Sequence, residues 1–138
     1  MIRICLRWLL GLFYAVAAWF HLTAPEPFLR IMPGPVPMPE AVVLWTGVAE
    51  FLGAAALLQP WSQPLRKAGA IGLALYALFV FPANINHFII DMAKPDGGLG
   101  LGYHVPRMFA QPLVIWLALW TGGLIEWPFK RRLKPSPL

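Results

Sequence analysis

Four long apolar stretches, separated by proline- or glycine-rich connections, make up most of this chain. They run from about Ile4 to Leu22, Ala41 to Leu58, Ala68 to Ile90 and Met108 to Trp127. Each has the length of an α-helix that crosses a hydrocarbon core about 30 Å thick. Strands are disfavoured, because alternation is absent and Leu and Ala dominate. Charged residues are 12% of the chain and apolar residues 59%. A soluble domain carries about 25% charge, so a water-soluble surface is out of reach. High apolar content also excludes disorder. Four spans of about 20 residues leave no room for a fifth within 138 residues. The expected fold is all-α: a membrane-embedded antiparallel four-helix bundle forming one domain over 1–138, with a basic tail at 128–138.

The first stretch carries Arg3, Arg7 and an Ala15-Val16-Ala17 pattern, as a secretory leader would. Its apolar run continues through Trp19, Phe20 and Leu22, and it reads as a retained helix. Pro25, Pro27, Pro33, Pro35, Pro37 and Pro39 stiffen the first connection. The third, from Asp91 to Pro106, holds four glycines and is expected to be a flexible or tightly turned loop that leaves His104 solvated. With four spans, both termini and the second connection share one side. That side carries Arg3, Arg7, Arg66, Lys67, Lys130, Arg131, Arg132 and Lys134; the other carries only Arg30, Lys94 and Arg107. The positive-inside rule puts both termini in the cytoplasm. The net charge of +5 is thus a topological signal, and no soluble module is present to bind nucleic acid. Cys5 is the single cysteine, which excludes an internal disulfide and a thiolate zinc site.

Glu50 falls about nine residues into the second stretch, roughly 14 Å below the outer surface. An acidic group at that depth costs on the order of 2–3 kcal/mol to insert, so it should face the bundle interior. Gly47 and Ala54 share its face and permit close helix approach. Side chains lean toward the N-terminus of their own helix. Glu50 therefore leans outward, while His21, Asn84 and His87 lean inward from the outer ends of the first and third helices. Arg107 and Gln111, four apart, share a face of the fourth helix. These six residues are expected to form a polar pocket opening outward. Arg107 leans away from Glu50, so the two should connect through Gln111, Asn84 or water. Pro82 should kink the third helix and free a carbonyl near Leu78 for the same cavity. The plainer alternatives are a structural latch for Glu50, interfacial caps for His21 and His87, and an interface anchor for Arg107. Two histidines at similar depth also meet the minimum for bis-histidine haem ligation, the lesser reading. The seven Trp read as belt and packing residues; Gly11, Ala15, Ala18, Gly69 and Gly72 read as helix contacts. No carboxylate-rich metal site, nucleophile triad or phosphate loop is visible.

The segments "AAWFHLTAPEPFLRIMP", "LWTGVAEFLGAAALLQP", "FVFPANINHF" and "PRMFAQPLVIW" together resemble the DoxX-like family of small four-helix membrane proteins. Matched positions are His21, Glu50, Asn84, Arg107 and Gln111. The resemblance implies a bacterial inner-membrane location. Some members of that family are linked to quinone-dependent sulfur oxidation, others to thiol homeostasis; the latter chemistry uses cysteine pairs, which this chain lacks. The expected function is an accessory protein whose pocket binds a small ligand, a lipid or a quinone. The alternative is a structural subunit or scaffold beside a membrane redox partner, with no ligand site of its own. A quinone-linked oxidoreductase is a third reading. No cofactor is firmly implied: a quinone is compatible with the pocket and haem less so.

Overall fold

The computed structural model describes residues 1–127; the basic tail at 128–138 lies outside the described residues. Every regular element among those residues is helical: α1 (Ile2–Thr23), α2 (Glu26–Arg30), α3 (Pro39–Leu58), α4 (Gln63–Met92) and α5 (Leu101–Gly122). Four long helices thus correspond to the four apolar stretches. The boundaries have local causes. Pro25 follows Ala24, which caps α1, and Pro39 and Pro64 sit in the first turns of α3 and α4, where a missing amide costs nothing. The Ser62 side chain accepts a bond from the Leu65 N–H at 3.3 Å and caps α4. Gly123, at φ 88°, ends α5 in the left-handed conformation.

The proline-rich first connection contains α2, one and a half turns of helix absent from the sequence reading. The Asn86 amide donates to the Ile31 carbonyl at 2.9 Å and ties this segment down onto α4. The third connection is shorter than expected. α5 starts at Leu101, with Pro106 and Pro112 both inside it, and the loop shrinks to 93–100.

α1 packs against α3 and α5, and α4 packs against α3 and α5, so the four long helices close a ring. The interior is built from small side chains and a few large ones. Ala54, Ala70, Ala74 and Ala118 pack with Leu10, Tyr14, Leu57 and Leu73. Gly11 lies against Leu58, Gly69 against Ala56, and Gly122 against Ala70, so an added Cβ at any of these would collide with its neighbour. Gly72 is a correction to the expected helix contacts: it faces open space, because the inward face of α4 is set by Gly69, Ala70, Leu73 and Ala77. The Arg3 side chain donates to the Trp120 carbonyl at 2.7 Å and reaches Glu126 at 3.3 Å, joining the start of α1 to the end of α5.

Large apolar side chains lie on the outside. Leu9, Phe13 and Trp19 on α1, Trp45 and Leu52 on α3, and Phe79 on α4 are all exposed. α1, α3 and α4 are each long and apolar enough to cross a membrane. α5 has the length but falls short of the other three in apolarity; His104, Pro106, Arg107 and Gln111 dilute its first half.

Candidate functional site

A cavity of about 230 Å³ opens among the four long helices, and it collects five of the six residues expected to meet: His21, Glu50, Asn84, Arg107 and Gln111. Phe28 and Ile31, from the tied-down α2 segment, cover it. The site contains two polar groups on different helix pairs.

The first joins α1 and α3. Glu50 and His21 are both buried, and Glu50 Oε2 lies 3.7 Å from His21 Nε2. That separation is too long for a hydrogen bond, and Oε2 has no hydrogen-bond partner among the described residues. His21 Nδ1 sits 3.3 Å from the Val43 carbonyl and 3.2 Å from the Thr46 hydroxyl. The Thr46 hydroxyl donates its proton to the Val42 and Val43 carbonyls. Both neighbours of Nδ1 therefore accept, which assigns the proton of the neutral ring to Nδ1. Nε2 is left as an acceptor turned toward Glu50. Gly47, on the face of Glu50, brings α3 so close that an added Cβ would lie 2.7 Å from the His21 Cβ.

The second group joins α4 and α5. Arg107 donates to the Asn84 side-chain oxygen at 2.6 Å, and the Asn84 amide donates to Gln111 at 3.0 Å. The Gln111 amide in turn donates to the Ala77 carbonyl. Arg107 is thus linked to Asn84 and not directly to Glu50, as its lean predicted; the expected connection onward to Glu50 through Asn84 or Gln111 is not made, because the chain of bonds ends on the Ala77 carbonyl. The backbone acceptor is Ala77, one residue before the Leu78 carbonyl expected from Pro82.

Two tyrosines belong to the site and were not read from the sequence. Tyr76 lines the cavity from α4 and brings its hydroxyl toward the Glu50 carboxyl. Tyr14 lines the cavity from α1 and donates to the Leu73 carbonyl at 3.4 Å. A tyrosine in an apolar run looks like a packing or belt residue; only the helix register shows which ones face inward. The Phe28 ring lies 3.7 Å from the His21 ring, centroid to centroid. A second cavity of about 320 Å³, lined chiefly by apolar side chains of α3, α4 and the first connection, lies beyond it. The two cavities share His21, Phe28, Ile31, Tyr76 and Val80.

His87 is the sixth expected residue, and it stands apart from the cavity. Its Nδ1 accepts from Arg107 at 3.0 Å, and its Nε2 lies 3.4 Å from Asp91. His104, expected to be solvated on a loop, is instead fully buried in the first turn of α5, with Nε2 3.0 Å from the same Asp91 oxygen. The reason is Asp91 itself. Buried at the end of α4, it also accepts from the Leu99 N–H at 3.1 Å and from Lys94, and it gathers the loop and the start of α5 around its carboxylate. Donor atoms of His87, Asp91 and His104 lie within 4.8 Å of one another, close enough to hold a metal ion. Their protons argue for a clasp instead. Arg107 only donates, so the neutral His87 ring keeps its proton on Nε2, facing Asp91; His104 donates to the same oxygen. Holding a cation would cost both bonds and the Arg107 contact. His21 and His87 border different cavities, which does not favour a haem between them.

Residues 10–122 match the family described as a domain of unknown function, DUF8561. The chain belongs to that family. No curated protein and no solved structure matches it. All the site residues named above lie inside the DUF8561 segment, so the cavity and the clasp are features of that domain.

Proposed function

We propose that this DUF8561 protein is a bacterial inner-membrane protein, a four-span antiparallel bundle with both termini in the cytoplasm. Its outward-facing cavity receives the ring of a quinone in its reduced, hydroxyl-bearing quinol form, or a similar small phenol. The DoxX-like pattern of the sequence is read as a distant relationship with the same location. The observation that carries the ligand reading is the pair of buried acceptors, Glu50 Oε2 and His21 Nε2, facing each other without a donor between them. A ring hydroxyl placed there finds an acceptor on either side. A buried polar atom without a partner costs about 1–3 kcal/mol, and a donating ligand recovers that loss.

Size supports the same class. Pockets for whole drug-sized molecules run from about 300 to 1,000 Å³, whereas an apolar cavity of about 150 Å³ takes up benzene. A cavity of about 230 Å³ fits one substituted ring. The apolar cavity behind Phe28, about 320 Å³, suits an alkyl or isoprenoid tail. In this reading Glu50 accepts a hydrogen bond or proton from the ring, with His21 and Tyr76 beside it. Asn84 and Gln111 orient the far side, and Arg107 draws in a partly negative oxygen.

The test is binding of the quinol form of a ubiquinone analogue with one isoprene unit, kept reduced, to the purified protein, followed by quenching of its tryptophan fluorescence. Saturable binding is expected, with Glu50→Gln and Asn84→Ala each weakening it about tenfold, the worth of one good buried hydrogen bond. Unchanged affinity in both variants overturns the proposal. The scaffold reading draws on the Arg107–Asn84–Gln111 chain, which satisfies itself and links α4 to α5 without a ligand. Purification in mild detergent separates the two: a stoichiometric protein partner with no quinone analogue bound favours the scaffold.

A further inference from the structure

We infer that a second pocket, at the mouth of the bundle, is a binding site for a phosphate-bearing anion. It has a volume of about 520 Å³ and lies between the α2 segment and the junction of α4 with α5. All three basic residues on the proposed outer side, Arg30, Lys94 and Arg107, line it. They come from three different elements, far apart in sequence, which makes their convergence informative. One carboxylate, Asp91, lines the same pocket, and both its oxygens are engaged. Oδ1 takes Lys94; Oδ2 takes the Leu99 N–H and His104. Asp91 therefore neutralises Lys94 and nothing more.

Arg107 is held by neutral acceptors only: His87 Nδ1 at 3.0 Å, the Tyr103 hydroxyl at 2.9 Å and the Asn84 oxygen at 2.6 Å. Arg30 is exposed and has no ion pair among the described residues. Glu26, Glu40 and Asp96 do not line the pocket; Asp96 accepts from the Gly98 N–H. Two guanidinium groups without counterions thus border one concave site, the arrangement that favours bidentate recognition of phosphate oxygens. The Tyr103 hydroxyl accepts from Arg107, which leaves its own proton free to donate to the anion. Pro27, Phe28, Ile31 and Ile90 supply an apolar wall. The shared chemistry is a phosphate group, carried either by an anionic lipid headgroup or by a soluble molecule. The site shares Arg107, Phe28 and Ile31 with the ring-binding cavity, but Arg30 and Lys94 line only the outer pocket, so the two can be tested apart.

Two probes used on the full chain in detergent separate the sources. Native mass spectrometry reads retention of phosphatidylglycerol against phosphatidylcholine, and a thermal shift reads titration with inorganic phosphate. Preferential retention of phosphatidylglycerol alone assigns a lipid headgroup. A phosphate response alone assigns a soluble ligand, and both together assign the phosphate group whatever carries it. Arg30→Gln, at an exposed side chain without ion pairs among the described residues, is expected to cut the preference or the phosphate affinity about tenfold, and Arg30→Lys to restore part of it. No lipid preference together with no phosphate response overturns the inference. So does Arg30→Gln behaving as the wild type. Arg30→Gln should still bind the quinone analogue and Glu50→Gln should still bind the anion, so failure of one site leaves the other standing.

Discussion

Glu50 and His21 face each other across 3.7 Å with the neutral imidazole offering only a lone pair. The polar side chain that does reach the carboxyl is Tyr76, from a third helix. This makes Tyr76 a positioning residue for the ring site. Tyr76→Phe removes the hydroxyl and keeps the ring that closes the wall between the two cavities. Affinity for the quinone analogue is expected to fall about tenfold, consistent with one hydrogen bond to a charged or strongly polar group, while near-ultraviolet circular dichroism stays unchanged. Tyr14→Phe serves as the comparison. Its hydroxyl donates to the Leu73 backbone, so its loss should lower the melting temperature and leave affinity nearly intact. Equal loss of affinity in both variants would contradict the role given to Tyr76. Glu50, Asn84, Arg107 and Gln111 were legible in the sequence because a polar group in a long apolar run must turn inward. Tyr14 and Tyr76 were not, since tyrosine satisfies either an inward or an interfacial position.

The junction of α4 with α5 shows the same limit at the level of elements. Four glycines between 97 and 102, followed by Pro106, read as a loop that ends at the proline. The structure ends the loop six residues earlier, because Asp91 binds the Leu99 amide and His104 and so draws the start of α5 in close. A carboxylate organising a turn eight residues away leaves no periodic signal. Gly98 is where this closure depends on glycine. Its φ is 56°, and an added Cβ would lie 2.5 Å from the Asp91 Cγ. Gly97 has a similar φ of 73° but open space around it. Gly97→Ala should cost only the left-handed backbone penalty, about 1–2 kcal/mol. Gly98→Ala adds a collision with a buried side chain that is fixed by four partners, a total of about 2–4 kcal/mol. Melting temperatures of the two variants in the same detergent should fall in that order. Equal losses would mean that the Asp91 clasp yields freely and does not hold the loop.

At the scale of the whole molecule, the packing is inverted relative to a water-soluble domain. Alanine, glycine and the polar cluster fill much of the inside around a few large residues such as Leu10, Tyr14, Leu57 and Leu73, while most of the Leu, Phe and Trp side chains cover the outside. In water, apolar patches beyond a few hundred Å² drive association; in hydrocarbon the same surface is at rest, and small interior residues let helices approach closely. This is why four helices could be counted from the sequence. Each apolar run reports contact with lipid as much as with a core, and the signal persists through every turn. α5 is the weakest of the four because it carries the polar half of the site, and its crossing is the part of the proposal most worth testing. The topology can be read with single cysteines in a Cys5→Ser background. Trp61, between α3 and α4, and Pro95, between α4 and α5, are both exposed. With both termini in the cytoplasm, Pro95→Cys should react with a membrane-impermeant maleimide on intact spheroplasts, and Trp61→Cys only after lysis. A cysteine placed at Ser136, in the basic tail, should behave like Trp61→Cys if α5 crosses, and like Pro95→Cys if it does not. Labelling at position 136 on intact cells would therefore reduce the bundle to three spans. It would also leave the Arg107–Asn84–Gln111 chain at the membrane surface, where a buried ring site could not form.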